Sequence, residues 1–284
     1  MAPNNVEPVT VVVCVKDCES MIRPCLDSIF ANHPAEVVVV DGNSRDGTAR
    51  VAAEMGAKVV SDEGRGLAYA RRIGALSAKS ENILYIGPDN VLPFGFISEM
   101  MRLGREYGFD VVGAQTRVLE PKTFSDRGLD FRWRVLMGEP GERAVIGTPT
   151  LYRGGVLQDT NYEERAANAD DTDVAERMRK KGKRLGVVPV QVFDANGMTL
   201  GAAWRKFRWY GTGDAHFYRN HSPDWTLGRK LFSLSHPLRQ TINFGKTALL
   251  QGEFGAFAWL VFVMAARYAG WIRKSRELRR RARA

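Results

Sequence analysis

A chain of 284 residues with 44% hydrophobic residues is long enough to bury a sizeable core, which argues against a disordered or a small disulfide-stapled protein. Its net charge of +9 is uneven: from Thr199 onward 16 Lys+Arg face 4 Asp+Glu, leaving +12, whereas the first 198 residues hold 25 against 28, or −3. Basicity is thus a property of the C-terminal part, and no reading helix or aromatic RNA platform accompanies it, so nucleic acid is not the expected partner. The three cysteines, Cys14, Cys18 and Cys25, have no second pair to make a disulfide framework or a zinc site, which points to a reducing compartment. Residues 1–10, MAPNNVEPVT, lack the basic and apolar regions of a secretory leader.

The first half alternates between two patterns. VTVVVCV (9–15), EVVVVD (36–41) and ENILYIG (81–87) are continuous β-branched or apolar runs, as expected of parallel strands buried on both faces, and AKVVSD (57–62) is a shorter one. Between them CESMIRPCLDSIFA (18–31) and SRDGTARVAAEMG (44–56) have helical spacing, the second ending at Gly56 as a helix stop. Strands alternating with helices predict βαβ units and a mostly parallel, Rossmann-like α/β sheet. Ligands of such sheets lie beyond the carboxyl ends of the strands, which selects Lys16 and Asp17, Asp41 to Ser44, Asp62 to Gly66, and Gly87 to Asn90. Polar loops follow strands in any protein, so the pattern alone leaves a nucleotide site and plain loops equally open. From Val111 to about Gly186 the pattern is mixed. After Thr199 it becomes aromatic and basic, and the expected division is a catalytic domain over 1–215 and a helical C-terminal region over 216–284.

VVVCVKDCESMIRPCLDSI, VVVVDGNSRDGT and ADDTDVAERMRKKGKR together resemble the family-2 glycosyltransferases, inverting enzymes of the GT-A fold that use nucleotide-sugar donors. The resemblance spans roughly 9–215. It implies that Lys16 and Asp17 lie in the loop around the nucleobase and that Asp41 accepts a hydrogen bond from the base of a UDP- or GDP-sugar. Asp46 has its own local reading as a helix cap. In DEGRGLAYARRIGALSA (62–78) the resemblance places Arg65 and Arg71 near the diphosphate, against the plainer reading of a solvated arginine face. In YIGPDN (85–90) it aligns Asp89 with the second carboxylate of the family's Asp-x-Asp and Gly87 with the first; one carboxylate suffices for Mg²⁺ or Mn²⁺ when water and phosphates complete the shell.

In ADDTDVAER (169–177) Asp171 takes the place of the catalytic base, with Asp170 and Asp173 beside it; without the resemblance, an acidic first turn of a helix explains the same residues. WRKFRWYGTG (204–213) resembles the family's Arg-x-x-Arg-Trp motif, with Arg208 and Trp209 at donor or acceptor, and Arg205 beside them. FGAFAWLVFVMAA (254–266) spans about 20 Å as a helix, short of a hydrocarbon core of roughly 30 Å, so it is expected to pack on the domain or lie in one leaflet with Trp259 and Trp271 near the interface. The basic RKSRELRRRARA (273–284) then favours an anionic membrane surface.

The expectation is an inverting glycosyltransferase that is peripheral or monotopic at the cytoplasmic face of the membrane. Its acceptor is a hydroxyl or phosphate, with a polyprenyl-phosphate-linked molecule as one candidate. A nucleotidyltransferase and a decayed nucleotide-sugar-binding scaffold are the alternatives. The first would normally carry a glycine-rich basic loop after the first strand, which CVKDCES lacks; the second has only Gly87 in its favour.

Overall fold

The computed structural model describes residues 7–194 and 197–281. The first half is built as the runs suggest. Strands β1 (Val9–Val15), β2 (Glu36–Asp41), β3 (Lys58–Ser61) and β4 (Asn82–Ile86) alternate with helices α1 (Glu19–Phe30), α2 (Thr48–Glu54) and α3 (Leu67–Ser77). These four strands pair in parallel in the order β3-β2-β1-β4. The apolar runs are unbroken because both faces of the sheet are covered. Val11, Val13 and Leu84 pack with Ile22, Leu26 and Met100 on one side, and Val12, Val38 and Tyr85 pack with Tyr162 and Met178 on the other.

The second half completes a mixed sheet. It comprises β5 (Asn90–Val91), α4 (Phe96–Glu106), β6 (Val111–Val118), α5 (Phe124–Met137), β7 (Gly141–Glu142), β8 (Thr150–Tyr152), α6 (Val156–Asp159), α7 (Asp170–Lys180) and β9 (Leu185–Asp194). The nine-stranded sheet continues β4-β8-β6-β9-β5, with β7 on β9; β8 runs antiparallel to both β4 and β6, while β6 and β9 are parallel. Because β5 pairs with the far end of β9, the turn after β4 is carried across to Asp194.

Four helices follow: α8 (Leu200–His221), α9 (Leu227–Leu234), α10 (His236–Leu250) and α11 (Phe254–Arg281). The boundary expected near residue 215 falls inside α8. Helix α11 packs along α8 and α5 around a third apolar cluster containing Leu129, Phe131, Phe207, Trp259 and Leu260. Of the two arrangements expected for residues 254–266, packing on the domain holds at Trp259, which is fully buried because Gly128 on α5 has no side chain where the indole lies. The 13-residue apolar run is the first half of a helix of about 42 Å. That helix is long and apolar enough to cross a membrane by length and composition, although a third of its most apolar stretch is buried against the protein. Residues 282–284 of the basic tail lie outside the described residues.

Gly211 on α8 and Gly270 on α11 set the distance between the two helices. A side chain on Gly211 would overlap the carbonyl of Arg267, and one on Gly270 would overlap the carbonyl of Arg208. The two backbones therefore touch, and Arg267 clamps the crossing by pairing with both oxygens of Asp214, at 2.5 and 2.7 Å.

Candidate active site

The selected residues lie where the strands end, in three groups. At the ends of β1 and β2, Asp41 is buried, and only one of its oxygens is used within the chain: Oδ2 accepts the amide of Ser44 at 3.1 Å. Its Oδ1 is buried with no partner among the described residues, a costly arrangement unless a ligand donates to it. Asp17 closes the facing loop by accepting the Arg45 amide at 2.8 Å, and Lys16 beside it is exposed. Asp62 is buried and holds the glycine-rich turn before α3 by accepting the amides of Gly64 and Gly66 at 2.7 and 3.2 Å. Asp46 ties the starts of α1 and α2 together, accepting from the amides of Glu19 and Thr48.

The second group is an acidic pair around one arginine. Arg71, from α3, is buried; its Nη1 donates to Asp171 Oδ1 and lies 2.8 Å from Asp170 Oδ2, while its Nη2 donates to Thr148 Oγ1 at 2.8 Å. The approach to Asp170 is an ion pair by distance without hydrogen-bond alignment, since Asp170 Oδ2 has no hydrogen-bond partner. The hydroxyl of Tyr85 fixes the backbone of Arg71 by donating to its carbonyl at 2.6 Å. Both carboxylates head α7. Burial, with the Asp171 charge beside it, pushes Asp170 up to about 7 against the pull of Arg71; burial likewise raises Asp171. The Asp170 side chain is 3% exposed and that of Asp171 27%, so Asp171 is the one that a substrate can reach. A carboxylate that holds its proton more tightly than usual, oriented by a guanidinium and open to solvent, is suited to take a proton.

The third group surrounds YIGPDN. The turn closes on itself: the Gly87 amide donates to Asn90 Oδ1 at 2.9 Å, and Asn90 Nδ2 donates to Asp194 Oδ1 at 2.7 Å. Trp133 Nε1 donates to the other oxygen of Asp194 at 3.0 Å. Burial and the nearby Asp89 push Asp194 up to about 7. Asp89 is half-exposed, with Lys206 Nζ 4.0 Å from its Oδ2.

The donor set at this turn is small. Glycine stands where the family has its first carboxylate, and a side chain at Gly87 would have to push Asp89 Oδ1 aside from 2.6 Å. Among the described residues no group of three or more His, Cys, Asp or Glu is arranged to hold a metal ion, and a lysine stands beside the one carboxylate of the turn. The residues present do not fit a resident divalent cation.

The remaining expected residues are placed as follows. Arg65 is turned to Glu164, with contacts of 3.1 and 2.5 Å, and lies over the ring of Tyr69. On α8, Arg205 and Trp209 are exposed and Arg208 is half-buried; it is Lys206 that reaches Asp89. Asp194, Lys206 and Thr148 were not among the residues selected for the site. Asp194 had a usable signal, since it ends an apolar run as Asp41 does; Lys206 had none, because only packing decides which face of α8 meets the turn. A polar depression lined by Glu7, Lys79, Asn82, Asp110 and Arg153 lies at the opposite, amino ends of the strands and holds none of these residues.

A sheet with an unpaired buried acceptor at the β2 end, an oriented carboxylate at the head of α7 and a charged turn after β4 defines a nucleotide-dependent transferase of the α/β class. The chain belongs to glycosyl transferase family 2, whose profile matches residues 10–159, more than half of its length. Among solved structures it is similar to the mannosyltransferase PcManGT from Pyrobaculum calidifontis in complex with GDP-Man and Mn²⁺: 18% identity, TM-score 0.64, covering 96% of this chain and 88% of that one. It is also similar to S. aureus TarS 1-349 with UDP-GlcNAc, at 15% identity and TM-score 0.54, covering 96% and 92%. A third is glucosyl-3-phosphoglycerate synthase from Mycobacterium tuberculosis with Mn²⁺, UDP and glucosyl-3-phosphoglycerate, at 15% identity and TM-score 0.54, covering 75% and 79%. At these identities the likeness establishes the GT-A fold. No curated protein matches significantly. The chain is a glycosyltransferase enzyme.

Proposed function

We propose that this glycosyltransferase moves one sugar, with inversion, from a UDP- or GDP-sugar to an acceptor hydroxyl or phosphate presented at the cytoplasmic face of a membrane. The observation that carries the reading is Asp171: a raised, solvent-reachable carboxylate oriented by Arg71 at the head of α7. Asp41 Oδ1 takes the N–H that uracil or guanine offers, with Lys16 and Asp17 at the rim of that site. Asp171 takes the acceptor proton as the acceptor oxygen attacks the anomeric carbon, and the nucleoside diphosphate leaves toward the Asp89 turn. Arg208 and Trp209 border donor and acceptor on α8. Mg²⁺ or Mn²⁺, the expected partner of the diphosphate's charge, is present in two of the similar structures but does not suit the donors at Asp89, which leaves Lys206 in that place.

The membrane reading is supported by the C-terminal helices. Leu227, Leu231 and Phe232 on α9, Leu250 on α10 and Phe254 on α11 are large apolar side chains exposed among basic residues such as Arg229 and Lys230. A polyprenyl-phosphate-linked acceptor would be presented from such a surface. The three free cysteines suit a reducing compartment.

The deciding variant is Asp171→Asn, assayed for turnover with candidate UDP- and GDP-sugars and for nucleotide binding by calorimetry. It is expected to bind nucleotide as the wild type does and to lose about 10²–10⁴-fold in turnover. Wild-type turnover in this variant would remove Asp171 from the mechanism.

A further inference from the structure

We infer that Lys206 is the cation of this active site: its ammonium, placed by α8 beside Asp89, donates to the departing diphosphate. The inference rests on the glycosyltransferase reading above. Three observations carry it.

The turn after β4 offers one carboxylate, Asp89, because glycine stands where the family motif has its first Asp. An added Cβ at Gly87 would meet Asp89 Oδ1 at 2.6 Å and Asn90 Oδ1 at 3.1 Å, so a side chain there would have to turn both of these side chains away, and the Gly87 amide is already spent on Asn90.

No neighbouring residue compensates as a ligand. The acidic side chain bonded to this turn, Asp194, is buried, and both of its oxygens accept hydrogen bonds from neutral donors, Asn90 Nδ2 and Trp133 Nε1. Those bonds hold it as a structural link between β5, β9 and α5.

Lys206 meets the requirements of a phosphate donor. Its Nζ is 4.0 Å from Asp89 Oδ2, close enough for the carboxylate to hold it in place and too far for a direct hydrogen bond that would consume it. The side chain is 30% exposed, so its three N–H donors stay within reach of an incoming anion. Its backbone is fixed, since α8 is clamped to α11 one turn further on at Gly211. A compact ammonium serves as a point charge for phosphate oxygens without the bidentate geometry that a guanidinium imposes.

The step balances without a metal. The bond between the anomeric carbon and the β-phosphate oxygen breaks with its electron pair remaining on that oxygen. The acceptor oxygen forms the new bond from the opposite face and gives its proton to Asp171. Lys206 donates hydrogen bonds to the diphosphate as its negative charge grows and stays protonated throughout, so Asp89 acts here as a positioning residue that holds the ammonium.

The test is calorimetric titration of the full chain with UDP, GDP and Mn²⁺ alone, in EDTA and in Mn²⁺, for the wild type, Lys206→Met and Lys206→Arg. One nucleotide is expected to bind the wild type with equal affinity in EDTA and in Mn²⁺. Lys206→Met is expected to weaken that binding by about 10–100-fold, the worth of a hydrogen bond to a charged group, and Lys206→Arg to retain most of it. Nucleotide binding by the wild type only in Mn²⁺ would overturn the role of Lys206 and leave the glycosyltransferase reading intact. Failure of both nucleotides in every condition would overturn that reading, and the inference with it. The wild-type EDTA comparison decides even where a variant does not fold.

Discussion

Replacing Arg71 with methionine tests the acidic pair most directly. The arginine side chain is 9% exposed and serves two carboxylates, Asp170 and Asp171, of which the first is almost fully buried. The group as it stands carries one net negative charge; removing the guanidinium leaves two. Breaking a buried ion pair from one side costs about 3–5 kcal/mol, and methionine fills much of the vacated volume, so the loss reports charge more than cavity. The pH dependence follows from the sign of the shift. Asp170 has its folded pKa raised above its unfolded value, so its contribution to stability is fully present below the unfolded value of 3.8 and is lost as pH rises through about 7. Without Arg71 both acids hold their protons to still higher pH. Urea unfolding should therefore show a loss of about 3–5 kcal/mol for Arg71→Met at pH 8 and less than about half of that at pH 5, where the acids can be protonated. Equal losses at the two pH values, or a loss under about 1 kcal/mol at pH 8, would refute the view that Arg71 compensates buried charge.

Other outcomes follow from the same geometry. Asp170→Asn removes a like charge and leaves Arg71 to Asp171 alone, so the acid limb of the kcat/KM profile should move to lower pH; an unmoved limb would show that the two carboxylates do not titrate together. Gly87→Ala forces the Asp89 carboxylate aside, and calorimetry should show weaker nucleotide binding, by less than for Lys206→Met, with the thermal midpoint little changed; unchanged affinity would remove the Asp89 turn from the donor site. The full chain should sediment with anionic vesicles more than with neutral ones, by about 1 kcal/mol per basic residue engaged, and Leu231→Glu with Phe232→Glu should abolish this; equal sedimentation with both lipids would remove the charged surface from the account.

What the sequence disclosed depended on how much of the signal was local. The strands β1, β2 and β4 are legible because both of their faces are buried, which leaves unbroken apolar runs. In the mixed stretch, by contrast, β5 has two residues and β8 three, and their place in the sheet comes from pairing with distant partners. Asp41 and Asp89 could be selected because a strand end marks them, and the family resemblance gave each its role; Asp171 rested on the resemblance alone, since a helix start explains its carboxylate equally well. The partner of Arg71 could not, since it lies 100 residues away on α7 and charge alone does not say whether an arginine meets a carboxylate or a phosphate. Whether Trp259 would be buried or at an interface stayed open for a related reason: the glycine that buries it is on another helix, 131 residues earlier.

The crossing at Gly211 and Gly270 makes α8 a shaft shared by two ends of the molecule. One turn of it carries Lys206 to the Asp89 turn, and the next is locked by backbone contact to the helix that leads to the basic tail. The position of Lys206 and the course of α11 are therefore set by one contact, and a side chain at Gly211 or Gly270 would shift both at once.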